Sequence, residues 1–212
     1  MATSRIVVAT TNPGKLREIR SLLMDARVEV LGLADFPAVV EPDETGETFA
    51  ENARQKALCY DRALPPDPSD SGRLTVAEDS GLVLDGLGGE PGIRSARFLR
   101  PDASYPDRFD AIYTRIAREP GASRAARFVC ALAVARQGSV IFETTGVVEG
   151  QLAAAPSGNA GFGYDPIFFY PPYGRTLADV TEAEKNRVAH RGKAMAVFAA
   201  WLRAGRPPVV HS

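Results

Sequence analysis

Thr10, Thr11, Asn12, Pro13, Gly14 and Lys15 follow the apolar run Ile6 to Ala9 and precede Leu16, Ile19, Leu22 and Leu23 at helical spacing. A strand that turns into a helix start presents backbone N–H groups and a positive dipole end to an anion, and Lys15 adds a point charge. Such a segment suits a phosphate. It is not a Walker A loop, because Ala9 stands where that motif needs its first glycine and Leu16 where it needs Ser or Thr. The same residues also describe an N-capped helix with a surface lysine.

Acids form the second group: Asp43-Glu44 before one helix, and Glu78-Asp79 expected at the C-terminal end of a strand. Carboxylates delivered from two elements match Mg²⁺, which takes one or two of them and fills the rest of its octahedron with water and phosphate oxygens. Strand C-termini are also where open α/β sheets place ligands. Solvated turn acids are the alternative. Asn52 and Lys56 lie four residues apart on the helix after the acidic turn, so they share a face that looks back toward Glu44; a lysine paired with Glu47 or Glu51 is the plainer reading. In Gly161-Phe162-Gly163-Tyr164-Asp165 the glycines allow close backbone approach and Phe162 can stack on a base, or pack in a core. Lys185 and His190-Arg191-Gly192-Lys193 gather cationic donors near a helix start. Aimed at one purine edge, they would accept a 6-oxo group and reject a 6-amino group, since an amine facing a donor leaves both unpaired. No GxSxG motif accompanies His190, which argues against a hydrolase triad.

These groups need elements to hold them. Arg5 to Thr10 predicts a strand, Asn12 an N-cap and Pro13 the first helical position. Val28 to Leu31 predicts a second strand. Thr48-x-x-Glu51 is a capping box opening a helix with Phe49, Ala53, Ala57 and Tyr60 on its buried stripe, stopped by Pro65-Pro66. Pro65 to Gly72 reads as a surface loop. Leu74 to Ala77 and Leu82 to Leu84 predict two strands separated at Glu78 to Gly81. Gly86 to Gly92 reads as a turn-rich loop and Asp107 to Arg118 as a helix. Arg127 to Ala135 and Ser139 to Val148 form an expected hairpin joined by Arg136-Gln137-Gly138. Ser157 to Gly163 reads as a loop, Ile167 to Phe169 as a short strand, and Thr181-x-x-Glu184 as the cap of a short helix. Helix is expected again from His190 through Trp201, and a frayed tail over 205–212. The expectation is an α/β protein with a long mixed β-sheet, flanking helices and two lobes around a central nucleotide-binding cleft, in a single domain over 1–204.

Composition bounds the rest. The 212 residues carry 25 basic and 26 acidic side chains, so nothing pulls the chain globally toward nucleic acid or an anionic membrane. No apolar run approaches the roughly 20 residues of a membrane helix, and the N-terminus lacks the order of a signal peptide. A cytoplasmic protein is expected. Cys59 and Cys130 stand apart and only His190 and His211 are histidines, so neither a disulfide framework nor a zinc site is expected. Only four of the 25 basic residues are lysines, Lys15, Lys56, Lys185 and Lys193. In so arginine-rich a chain, a surviving lysine is expected where arginine would serve badly.

Taken in order, ATTNPGKLREI (9–19), ETGETFAENARQKA (44–57), AEDSGLVLDGLGGEPGIRSARF (77–98), GFGYDPIF (161–168) and EKNRVAHRGKA (184–194) resemble the non-canonical purine NTP pyrophosphatase family, the inosine/xanthosine triphosphatases. The resemblance runs from Ile6 to Leu202. It implies Mg²⁺-dependent hydrolysis of ITP, dITP and XTP to the monophosphate and pyrophosphate, removal of deaminated purines from the nucleotide pool, and a homodimer. It implies triphosphate binding by Thr10 to Lys15 and Lys56, metal binding by Glu44 and Asp79, and proton acceptance by Asp79. It assigns Ser80, Phe162, Gly163, Tyr164, Asp165, Lys185, His190 and Arg191 to nucleotide and base recognition. Glu78 and Asp43 depart from the commonest pattern by one methylene each and are supporting acids. Two other classes remain: a phosphotransferase, which the broken Walker A opposes, and a silent nucleotide- or RNA-binding module, which would need a basic stripe.

Overall fold

A computed structural model describes residues 4–37, 39–66 and 72–206. β1 (Ser4–Val8) forms because Ile6, Val7 and Val8 are β-branched, and all three are fully buried. α1 (Pro13–Leu22) starts where expected: the Asn12 side chain accepts from Gly14 N at 2.9 Å and Lys15 N at 3.2 Å, and Pro13 needs no acceptor. β2 (Val28–Gly32) follows. α2 (Phe49–Ala63) opens on the Thr48/Glu51 capping box and ends at Leu64, whose extended backbone is what a following proline imposes.

β3 (Leu74–Leu84) corrects the sequence reading. It runs unbroken through Glu78 to Gly81 where two strands were expected. Acids interrupt a strand only when they must reach water, and here Glu78 and Asp79 are buried and paired. α3 (Tyr105–Ala117) starts two residues early, capped by Ser104 with Asp107. β4 (Ala125–Arg136) and β5 (Ser139–Leu152) are sheet neighbours joined by Gln137-Gly138 alone. Both linker residues have positive φ, 51° and 77°, the signature of a tight type I′ hairpin. Asp165–Ile167 is a helical turn, so β6 (Phe168–Tyr170) begins one residue later than expected, followed by β7 (Arg175–Thr176). α4 (Glu182–Val188) is capped by Thr181/Glu184, and α5 (His190–Arg203) closes the order. The expected loop at 67–71 and the tail beyond Arg206 lie outside the described residues.

Among the described residues seven strands form one sheet in the order β2-β1-β3-β4-β5-β6-β7. β1 pairs parallel with β2 and β3, while β5 with β6 and β6 with β7 are antiparallel, so the sheet is mixed. The chain divides into two compact units. One comprises Met1–Asp79, Cys130–Gly146 and Arg191–Ser212; the other comprises Ser80–Val129 and Val147–His190.

In the first unit the period-two alternation of β3 and β4 feeds two cores. Leu74, Val76, Cys130, Leu132 and Val134 join Ile19 of α1 and Phe198 of α5 on one face. Ala77, Ala131, Ala133 and Ala135 meet Ala53, Ala57 and Tyr60 of α2 on the other. In the second unit Phe109, Ile112 and Ile116 give α3 a single apolar stripe against Leu82, Phe128 and Phe168. No helix among the described residues is long and apolar enough to cross a membrane.

Candidate active site

The chemistry-bearing residues fall into two clusters, one in each unit. In the first unit, α2 supplies Asn52 and Lys56 on one face, as their spacing requires. Asn52 is fully buried and works with both ends of its amide: Oδ1 accepts from Gly46 N at 2.8 Å, and Nδ2 donates to Asp79 Oδ2 at 3.0 Å. Lys56 Nζ pairs with Glu44 and lies 3.5 Å from Asp79 Oδ1. Glu47 and Glu51 take no part; Glu51 is occupied by the cap of its own helix.

One ammonium is thus shared by two carboxylates. Burial works against the Lys56 charge, but Asp79 and then Glu44 outweigh it and hold its pKa above the ordinary lysine value. Asp79 fares differently. Burial pushes its carboxyl above the ordinary aspartate value, Glu44 adds to the rise, and Lys56 and Asn52 do not cancel it. Among the described residues no group of three or more His, Cys, Asp or Glu gathers as a metal cage. Two carboxylates that already converge on one cation do fit Mg²⁺, which keeps most of its shell for water and phosphate.

Glu78 faces the other way. Arg191 grips it twice, Nε to Oε2 and Nη2 to Oε1, both at 2.9 Å, and reaches Glu18 of α1 with Nη1 at 2.5 Å. Lys15 Nζ lies 3.0 Å from Glu78 Oε1, and the Cys130 thiol donates to Oε2 at 2.8 Å. Burial alone would raise the Glu78 pKa; Arg191 first and Lys15 next hold it well below the carboxylate range. The same burial, reinforced by Glu78, pushes the Cys130 thiol well up.

Two expectations change here. The α1 amides were expected to face an anion; those of Gly14 and Lys15 donate instead to Asn12, the N-cap that the sequence also predicts. Thr10 Oγ1 accepts from Asn12 N at 3.2 Å, and Thr11 Oγ1 donates to Glu41 at 3.3 Å. The sequence groups Arg191 with Lys185 and His190 as cationic donors near a helix start. Its guanidinium is 1% exposed and belongs to the first unit, because two buried carboxylates outbid solvent for it.

In the second unit the 161–165 loop folds back on itself. Asp165 Oδ2 accepts from Phe162 N at 2.9 Å and from Lys185 Nζ at 2.7 Å, and that ammonium sits 4.7 Å from the centre of the Phe162 ring. Gly161, at φ 72°, is required: a Cβ there would lie 2.2 Å from Asp165 Oδ2. Tyr164 is buried and its hydroxyl donates to Ser95 O at 2.8 Å, so it anchors the loop. The buried His190 ring stacks on Phe128, centroids 4.8 Å apart, and Phe128 stacks on Phe168 at 4.4 Å. Ser80 is half-buried in β3.

Glu18, Ser95 and Arg108 carry no assignment from the sequence. Glu18 had a signal, standing three residues after Lys15 on the same helix face.

A mixed sheet with a lysine–carboxylate cluster on one unit and a glycine–aromatic loop under a Lys–Asp pair on the other defines an α/β protein whose side chains suit a polyanionic ligand and a planar one. The Ham1 family model matches residues 6–201. The chain belongs to the Ham1 family. A dITP/XTP pyrophosphatase of Geobacillus kaustophilus is 43% identical over 190 residues, 90% of each chain. One from Symbiobacterium thermophilum is 45% identical over 196 residues, covering 92% of this chain and 93% of its own. The structure of a HAM1 protein from Coxiella burnetii superposes with a TM-score of 0.84 at 33% identity, covering 95% of this chain and 100% of the other.

Proposed function

We propose that this chain is a nucleoside triphosphate pyrophosphohydrolase that converts dITP, XTP and ITP to the monophosphate and pyrophosphate with Mg²⁺, as a cytoplasmic homodimer that clears deaminated purines from the nucleotide pool. The observation that carries the reading is the Lys56 ammonium between Glu44 and Asp79, two carboxylates already converging on one cation. The names of relatives at 43% and 45% identity support it.

Glu44 and Asp79 would hold Mg²⁺, which supplies Lewis-acid polarisation of phosphate oxygens when bound. Asp79 orients the water that attacks the α-phosphorus and accepts its proton; burial makes it a stronger base than an exposed aspartate. Asn52 keeps that carboxylate from rotating. Lys15 and Lys56 neutralise the departing pyrophosphate. Arg191, itself held by Glu18, grips Glu78, which in turn sets where Lys15 lies. In the second unit Phe162 stacks on the purine, and Lys185, fixed beside that ring by Asp165, offers a donor to the 6-oxo edge.

Purified chain is assayed with Mg²⁺ for pyrophosphate release from dITP, XTP, ITP, GTP and ATP. Release from the first three, with ATP far slower, is expected; GTP shares the 6-oxo edge, and its rate shows whether the 2-position is read as well. Equal rates on ATP and ITP would overturn base selection. Orthophosphate or a phosphorylated acceptor as product would overturn the reaction assigned.

A further inference from the structure

Arg108, in the first half of α3, is 4% exposed, and a guanidinium keeps its charge in a protein. Buried charges are ordinarily retained against a carboxylate. Among the described residues Arg108 has none. Nη2 reaches the carbonyls of Pro101 at 3.3 Å and Arg100 at 3.5 Å, and Nε is buried without an acceptor. Of the acids near it in sequence, Asp102 and Asp107 pair with Arg100 and Asp110 is exposed. What faces Arg108 is aromatic: its guanidinium carbon lies 4.9 Å from the centre of the Tyr105 ring, and its charge acts on the Tyr164 hydroxyl.

These contacts put the charge against the 161–165 loop. Tyr164 lies between Gly163 and Asp165, and its ring meets Tyr105 edge-on at 5.3 Å. The Tyr105 hydroxyl would be 3.5 Å from a Cβ on Gly163. Lys185 and Asp165 set opposite charges against each other. Arg108 therefore leaves the loop with an excess of positive charge in a low-dielectric setting, where a charge acts over longer distances than in water.

The two kinds of base assigned to this loop differ in acidity. Xanthine, with oxo groups on both carbons of its six-membered ring that flank N1, loses a ring proton near neutral pH; hypoxanthine, with one, stays neutral. We infer that Arg108 is a specificity-determining residue whose buried, acid-free charge favours the anionic base of XTP over the neutral base of ITP. The inference rests on the proposed assignment of this loop to the base and deepens it. A unit charge acting across about 10 Å at an effective dielectric constant of about 20 corresponds to roughly tenfold in binding.

KM and kcat are measured for XTP and ITP, which share one sugar, at pH 8 in wild type, Arg108→Met and Arg108→Lys. Wild type should show a KM for XTP several-fold below that for ITP; a ratio of one, or the reverse order, overturns the inference whatever the variants do. Arg108→Met should raise KM for XTP roughly five- to tenfold more than for ITP, and Arg108→Lys should keep the wild-type ratio within about twofold. Equal losses on both substrates in Arg108→Met would make the residue merely structural. Failure of wild type to cleave either substrate would overturn the proposed function itself.

Discussion

Glu78 and Asp79 are consecutive in β3 and serve opposite faces of the sheet. Glu78 meets Arg191, Lys15 and Cys130, on the side of α1 and α5, while Asp79 meets Asn52 and Lys56 of α2. The period of two in a strand makes this unavoidable. On the proposed mechanism, Glu78 positions Lys15 for the phosphates while its neighbour Asp79 accepts the proton.

Asp79→Asn should lower turnover by several orders of magnitude while leaving the fold as stable as wild type or more so. The folded environment raises the Asp79 pKa, so the folded state binds its proton more readily than the unfolded state does. This group's contribution therefore falls as pH rises from the ordinary aspartate value through the raised one, and at pH 7 its charge is a burden. Pyrophosphate release and thermal melts at pH 7 check both halves; near-normal turnover would remove Asp79 from the role of base.

Glu78→Gln should behave in the opposite way. The folded pKa of Glu78 is depressed, so its stabilisation is complete above the ordinary carboxylate range and is lost as pH falls through the folded value. The variant leaves Arg191 with one carboxylate fewer and should be less stable by about 3 kcal/mol at pH 7. Urea unfolding at pH 7 and at about pH 3 should show that gap narrowing in acid; a pH-independent gap would show that lost packing, and not charge, is responsible.

Lys56→Arg and Lys15→Arg should each lower kcat at least about tenfold despite keeping the charge. The Lys56 ammonium is a compact donor wedged between Glu44 and Asp79, and a planar fork cannot occupy the same point. Steady-state kinetics of both variants decide this: wild-type values would show that any cation suffices and that the scarcity of lysine carries no functional meaning.

Chelation of Mg²⁺ should abolish turnover, and Glu44→Gln should raise the Mg²⁺ concentration for half-maximal rate about tenfold or more. The remaining cation ligand is then Asp79, with Lys56 competing for it. Titration of Mg²⁺ at saturating dITP measures this shift; an unchanged half-point would exclude Glu44 as a ligand.

Much of this protein is readable along the chain because the signals are local. Asn12-Pro13, Thr48-x-x-Glu51 and Thr181-x-x-Glu184 mark helix starts through hydrogen bonds spanning three residues, and the structure starts α1, α2 and α4 at those places. The i, i+4 spacing of Asn52 and Lys56 likewise sets them on one face toward Glu44. The partners of buried charges are not readable in this way. That Arg191 would meet Glu78 and Glu18, 113 and 173 residues away in the chain, depends on which carboxylates the sheet and α1 bring inside. The continuity of β3 through two acids follows from the same fact: with partners inside the fold, Arg191 and Lys15 for Glu78 and Lys56 and Asn52 for Asp79, neither acid needs a turn to reach water. Acid-free burial of Arg108 is likewise a tertiary outcome, since its neighbours in sequence include acids that Arg100 takes instead. Short-range hydrogen bonds and periodicity place the helices and most strands; desolvation, which only the packed chain imposes, decides which charges meet.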